Sequence, residues 1–253
     1  MSPSAQPGAR TSGYFASTRA PRYSIVFALP LLVLYEGLAS LLGGPRGEIR
    51  NGADAIFRGA FTAIAGYRGP AIFMGLVVLI GIALVARDMK RSSEPLRLSY
   101  FAGMLVEAMV LAVCFGFVIG TLTAQLLGAA HLLAFQKAGG LVAMSRPMKL
   151  MLSLGAGLYE ELFFRVVLVS ALAAGGRLVF GFGDRAAALV AVVFSALVFS
   201  LFHYIPPYGD PFAIGSFTFR FLSGVAFSAL YVTRGFGITA WTHALYDAFL
   251  LLA

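Results

Sequence analysis

Charge is scarce in this chain: only 12% of its 253 residues are Asp, Glu, Lys or Arg, against roughly 25% in an ordinary soluble domain. Cysteine occurs once, as Cys114. A single cysteine excludes an intrachain disulfide and any cluster of thiolate metal ligands. In its apolar setting Cys114 is expected to be a small buried hydrophobe. Histidine occurs three times, as His131, His203 and His243. No hydrophilic stretch is long enough to build a second core, and no internal repeat is visible, which counts against the repeat-built transporters.

What fills the chain instead is apolar: 59% of the residues are hydrophobic. The fold class read from this is all-α, a polytopic transmembrane helical bundle of seven to eight spans with short interfacial helices. The net charge of +8 fits basic loops at an anionic leaflet, so no nucleic-acid partner is expected. Residues 1–20, rich in Ser, Ala, Gly and Arg, read as a disordered tail. Residues 21–253 read as a single membrane domain.

Tyr23 to about Leu42 reads as a retained first span rather than a signal peptide, kinked at Pro30. Its Glu36 is expected to pair with a cation from another helix. The Gly-rich stretch 43–69 holds an apolar stripe of Ala55, Ile56, Phe57, Ala60 and Ile64, which fits a helix lying in the interface. Further spans are expected over 70–86, 100–127, 148–174, 186–204, 217–232 and 237–253. Glu107 sits in the third. His131 falls in a loop and is read as an interfacial residue. A modest Lys and Arg excess in alternate loops predicts an inside N-terminus.

The fourth span carries Tyr159-Glu160-Glu161-Leu162-Phe163-Phe164-Arg165. An ionisable residue at the bilayer centre costs about 2.5–3.5 kcal/mol on insertion scales. Three of them within six residues persist only if they pair or face a polar cavity. Glu161 and Arg165 stand at i and i+4, about 40° apart on an α-helix, and can pair along one face. Glu160 is rotated by about 100° from Glu161 and must find its partner on another helix. The fifth span ends in Phe199-x-x-x-His203. The last carries His243-x-x-x-Asp247, an i,i+4 pair in which the carboxylate can orient the imidazole or share its target.

The order Glu-Glu-x-x-x-Arg, Phe-x-x-x-His, His-x-x-x-Asp on successive membrane helices resembles the CPBP family. These are the CaaX-processing and bacteriocin-processing intramembrane endopeptidases, also called the Abi family. The resemblance covers residues 148–253. It implies that Glu160 and His203 activate a water, that His243 and Asp247 stabilise the oxyanion, and that Glu161 and Arg165 support the site. Asp247 departs from the asparagine that can donate to an oxyanion. As an acid it must be protonated, orient His243 or help bind a metal. No cofactor is expected under the glutamate scheme. His203, His243 and Asp247 with an open position would suit zinc in the alternative scheme.

The resulting expectation is an endopeptidase of the glutamic type in the bacterial cytoplasmic membrane. Its expected partners are the lipid bilayer and a membrane protein or peptide substrate. The rivals are a zinc-dependent intramembrane protease, a proton-coupled transporter with Glu160, His203 and Asp247 as relay, and a non-catalytic membrane partner that keeps the polar network.

Overall fold

Long apolar runs punctuated by proline and glycine set the helices of the computed structural model, which describes residues 13–44, 49–92, 94–128, 144–205 and 209–252. Helix α1 spans Tyr14–Arg19 and α2 spans Pro21–Leu42. Pro21 opens α2 where a proline lacks nothing, since the first helical N–H groups have no partner. α2 runs on through Pro30. Helix α3 spans Gly52–Ala65 with Asn51 as its N-cap, and a short turn at Gly66–Arg68 leads into α4, Gly69–Arg91. α5 spans Leu98–Leu127 and stops at Gly128, whose φ of 87° suits glycine. Then come α6, Arg146–Gly155, a π-helical segment, Ala156–Val169, and α7, Ser170–Leu178. α8 spans Asp184–Phe202, α9 Ile214–Arg234 and α10 Phe236–Leu252.

The described residues form a helical bundle with an inverted surface. Large apolar side chains such as Leu79, Ile82, Val113, Phe117 and Leu189 point outward, while Ala112, Ala191, Ala196, Ser195, Ser200, Ala240 and Ala244 are buried. The interior also holds large side chains such as Leu31, Tyr35 and Phe227; small residues beside them let helices approach closely, and bulky apolar residues outside cost nothing, since lipid tails reward Leu as well as a protein core does. Among the described residues four helical runs are long and apolar enough to cross a bilayer: Pro21–Leu42, Gly52–Arg91, Leu98–Leu127 and Asp184–Phe202. The protein is an integral membrane protein. The other three expected spans fall in 146–178, 214–234 and 236–252 and are not among the four. The first of these carries Glu160, Glu161 and Arg165, and α10 is only 17 residues long.

Two expectations need correction. The segment 14–19 is not tail: it is helical and tied down. Tyr14 donates to Glu107 at 2.8 Å, and Arg234 donates to Glu107, to the Phe15 carbonyl and to Thr18. This buried network compensates Glu107 and pins α1, while residues 1–12 lie outside the described ones, as does His131. Cys114 is exposed on the outer face of α5, because the buried face of that helix is taken by Met104, Ala108, Ala112, Ile119 and Thr123. In α3 the buried side is Ala53 and Asp54, with Phe57 packed on the core, whereas Ile56 and Ile64 point outward. The outward Ile56 and Ile64 fit the expected stripe facing lipid, while Asp54, paired with Arg50 and Arg58, anchors the inner side of α3. As expected, Glu36 pairs with a cation from another helix, Arg58 of α3 at 2.8 Å, and it also meets Arg50 in the loop before α3 at 3.2 Å.

The π segment is the centre of the bundle. It packs against α2, α3, α6, α7, α8, α9 and α10, and six consecutive residues, Ala156 to Glu161, are buried. Over these six residues the helix is buried all round and has no lipid-facing side to which a polar residue can be relegated, whereas Val167 further along is exposed. Close approach to α10 depends on Gly157, where a Cβ would stand 2.3 Å from the Ala240 carbonyl oxygen and 2.7 Å from Ala244 Cβ.

Candidate active site

Glu160, Glu161 and Arg165 lie in the π segment, and the change of helix type alters their relations. A π-helix closes i→i+5 hydrogen bonds and is frequent at functional sites. Arg165 ion-pairs with Glu161 at 3.2 Å, as the i,i+4 spacing predicts, and it is also an electrostatic neighbour of Glu160. Its guanidinium lies 4.5 Å from the centre of the Phe199 ring, with Phe227 and Phe164 at 5.5 and 5.9 Å. Both members of the pair are fully buried.

Glu161 does more than pair with Arg165. Its Oε1 also lies 2.6 Å from His243 Nδ1. A carboxylate that faces a guanidinium is ionised and can only accept, so Nδ1 carries the proton and donates. His243 is further fixed by the Phe227 ring, stacked on it at 4.3 Å. Its Nε2 is then the nitrogen left for chemistry, with Asp247 Oδ2 3.6 Å away.

His203 caps the C-terminus of α8. Its Nδ1 is 2.8 Å from the Phe199 carbonyl oxygen. A carbonyl only accepts, so here too Nδ1 donates and Nε2 is left with a free lone pair. The Phe-x-x-x-His spacing therefore sets the tautomer through the backbone of Phe199. Its ring lies between the two imidazoles, 4.9 Å from His203 and 6.3 Å from His243.

Glu160 faces this pair. It is an electrostatic neighbour of His203, His243 and Asp247, and the two histidines are neighbours of each other. Its hydrogen-bond partner is Asn51, whose Nδ2 donates to Oε1 at 2.7 Å. The partner expected on another helix is thus an amide rather than a cation. Arg220, ion-paired with Asp210, lies within electrostatic reach of His203 and Asp247.

The four candidate residues therefore come together, from the π segment, the end of α8 and one face of α10. Glu161 and Arg165 join them from beneath. Asn51 was not legible as a site residue. Asn before Gly-Ala-Asp announces a helix N-cap, but nothing in that signal marks the second half of the amide. Among the described residues no group of three or more His, Cys, Asp or Glu side chains is placed to hold a metal.

With the geometry in place, the chain can be set beside known proteins. Residues 142–249 match the Rce1-like family, described as type II CAAX prenyl endopeptidases. No curated protein and no solved structure matches the chain. The Rce1-like stretch contains Glu160, Glu161, Arg165, Phe199, His203, His243 and Asp247, and agrees with the resemblance read from their spacing. It is a protease family, so the match supports a CAAX-type intramembrane peptidase in general. Asn51, Glu36 and α1 to α5 lie outside the Rce1-like stretch.

Proposed function

We propose that the protein hydrolyses a peptide bond of a membrane-associated protein or peptide, using a water activated by Glu160 and His203. The observation that carries the reading is the polarity of the three facing groups. Glu160 has one oxygen held by an amide donor, and both imidazoles have Nδ1 engaged, with no hydrogen bond to Nε2 among the described residues. Water between Glu160 and His203 would meet two acceptors, an arrangement that removes a proton rather than supplies one.

The water oxygen attacks the scissile carbonyl carbon, its proton passes to Glu160, and the carbonyl oxygen becomes an oxyanion. His243 lies opposite with Nε2. Since Nδ1–H is committed to Glu161, Nε2 donates to that oxyanion only as the imidazolium. Asp247, with Oδ2 3.6 Å from Nε2, then steadies the imidazolium by its charge rather than by a hydrogen bond, a role that an acid can fill. Collapse of the intermediate breaks the C–N bond, and the proton on Glu160 goes to the leaving amine. Arg165 and the aromatic rings around it hold Glu161, and through it His243.

A bacterial cytoplasmic membrane is the proposed location. The test uses purified protein in detergent or liposomes with membrane-tethered peptides, prenylated and unprenylated. Two product peptides are expected, at a rate unchanged by dialysis against a strong chelator. Loss of activity on dialysis with recovery on adding zinc would replace the glutamate scheme by a metal scheme. No cleavage of any tethered peptide would count against peptidase activity altogether.

A further inference from the structure

Asn51 stands outside the Rce1-like stretch, yet its side chain ends on Glu160. The amide is used at both ends. Oδ1 accepts from the Ala53 backbone N–H at 2.9 Å, capping α3. Because that partner can only donate, Oδ1 must be the oxygen, and the group facing Glu160 must be the NH2. Asn51 is buried, at 6% exposure.

The position of Asn51 is fixed by more than its cap. Its backbone N–H donates to the Tyr35 hydroxyl at 3.0 Å, which donates to Asp54 at 2.8 Å. Asp54 is held by Arg50 and Arg58 at 2.8 and 2.7 Å, and both arginines also reach Glu36. The Tyr159 hydroxyl closes the ring, donating to Glu36 at 2.7 Å from the residue next to Glu160. Behind Asn51 there is no slack: a Cβ on Gly155 would stand 2.8 Å from Asn51 Cβ and 2.4 Å from the Tyr35 ring. Two carboxylates and two guanidiniums therefore form a balanced clamp, and its only link by hydrogen bond to Glu160 among the described residues is the Asn51 amide.

We propose that Asn51 is a positioning residue for the reaction. By holding Oε1 of Glu160 it leaves Oε2 as the oxygen presented to water, at a fixed angle to His203. The N-terminal half of the chain thus completes a site whose other members all lie in 142–249. This rests on the reading of Glu160 as the base.

The test separates the cap from the donor. Asn51→Asp and Asn51→Ser both keep a good N-cap. Neither keeps the amide donor: the first sets an acceptor against Glu160, and the second is too short to reach it. Kinetics are normalised to folded protein, measured by size-exclusion chromatography and thermal unfolding. Both variants are expected to lose kcat by about 10²-fold, the cost of a misplaced catalytic group, with KM unchanged. A kcat per folded molecule close to wild type in either variant would overturn the proposal, because Asn51 would then be a cap only. Glu160→Gln is run alongside. If that variant cleaves normally, the reading of Glu160 has failed. If it is inactive while Asn51→Ser is unimpaired, only the role of Asn51 has failed.

Discussion

Glu160→Gln is expected to fold, insert and bind substrate like the wild type while losing about 10²–10⁴-fold in kcat, the usual contribution of a positioned base. The substitution is close to isosteric, and one end of the side chain still meets Asn51 Nδ2 if the glutamine oxygen takes the place of Oε1. What it cannot do is accept a proton. Its NH2 would point at the water between Glu160 and His203 and donate where an acceptor is needed. KM should therefore hold while kcat falls, which is the mark of an interaction used only in the transition state. Initial rates on a membrane-tethered peptide, with substrate binding measured separately, give the result. A kcat equal to wild type would remove Glu160 from the reaction.

Arg165→Ala should act on the fold instead. Its guanidinium is fully buried, ion-paired to Glu161 and stacked over Phe199. Truncating one partner of a buried pair costs about 3–5 kcal/mol, because the other charge is left unpaired. Here the stranded charge is Glu161, whose Oε2 already lacks a hydrogen-bond partner among the described residues. Loss of Arg165 also removes the cation from the aromatic rings of Phe164, Phe199 and Phe227. Arg165→Lys keeps the charge but not the planar stacking group, so it should fall between the two. Thermal unfolding in detergent should order them wild type, Lys, Ala. An Arg165→Ala midpoint equal to wild type would contradict the structural role.

The two variants separate what was legible in the sequence from what was not. Glu161, Arg165, Phe199, His203, His243 and Asp247 were legible because each pair lies within one helical turn, where spacing fixes proximity. Phe199 and His203 even set a tautomer from within that turn. The contact of Glu161 with His243 was not legible, since it joins residues 82 positions apart and depends on how the π segment packs on α10. The π-helical hydrogen bonding itself leaves no mark in residue spacing, and it is what brings Arg165 within reach of both glutamates. Asn51 was hidden for a further reason. A capping signature accounts for that residue fully on its own, so nothing prompts a search for a partner 109 residues away.

The fold shows the same division. An all-helical membrane bundle followed from composition, because so few charges cannot cover a soluble surface. The direction in which each helix faces did not. Cys114 reads as core material in any apolar run, yet α5 buries Ala108 and Ala112 and turns Cys114 outward. In lipid the hydrophobic pattern no longer tells inside from outside, and small residues become the marker of the buried face. Asp54 illustrates the converse. It lies in a helix read as an apolar stripe, and it is the fully buried anchor of α3, paired with Arg50 and Arg58.

The central claim is that Glu160 takes a proton from a water that attacks the peptide directly. A single turnover in heavy-oxygen water, followed by mass spectrometry of both the product and the peptide containing Glu160, tests this most directly. One heavy oxygen is expected in the new carboxyl terminus of the product, none in Glu160, and no labelled product from Glu160→Gln within the wild-type turnover time. Label appearing in Glu160 itself would mean that the carboxylate attacks the substrate as a nucleophile, and that result would contradict the account.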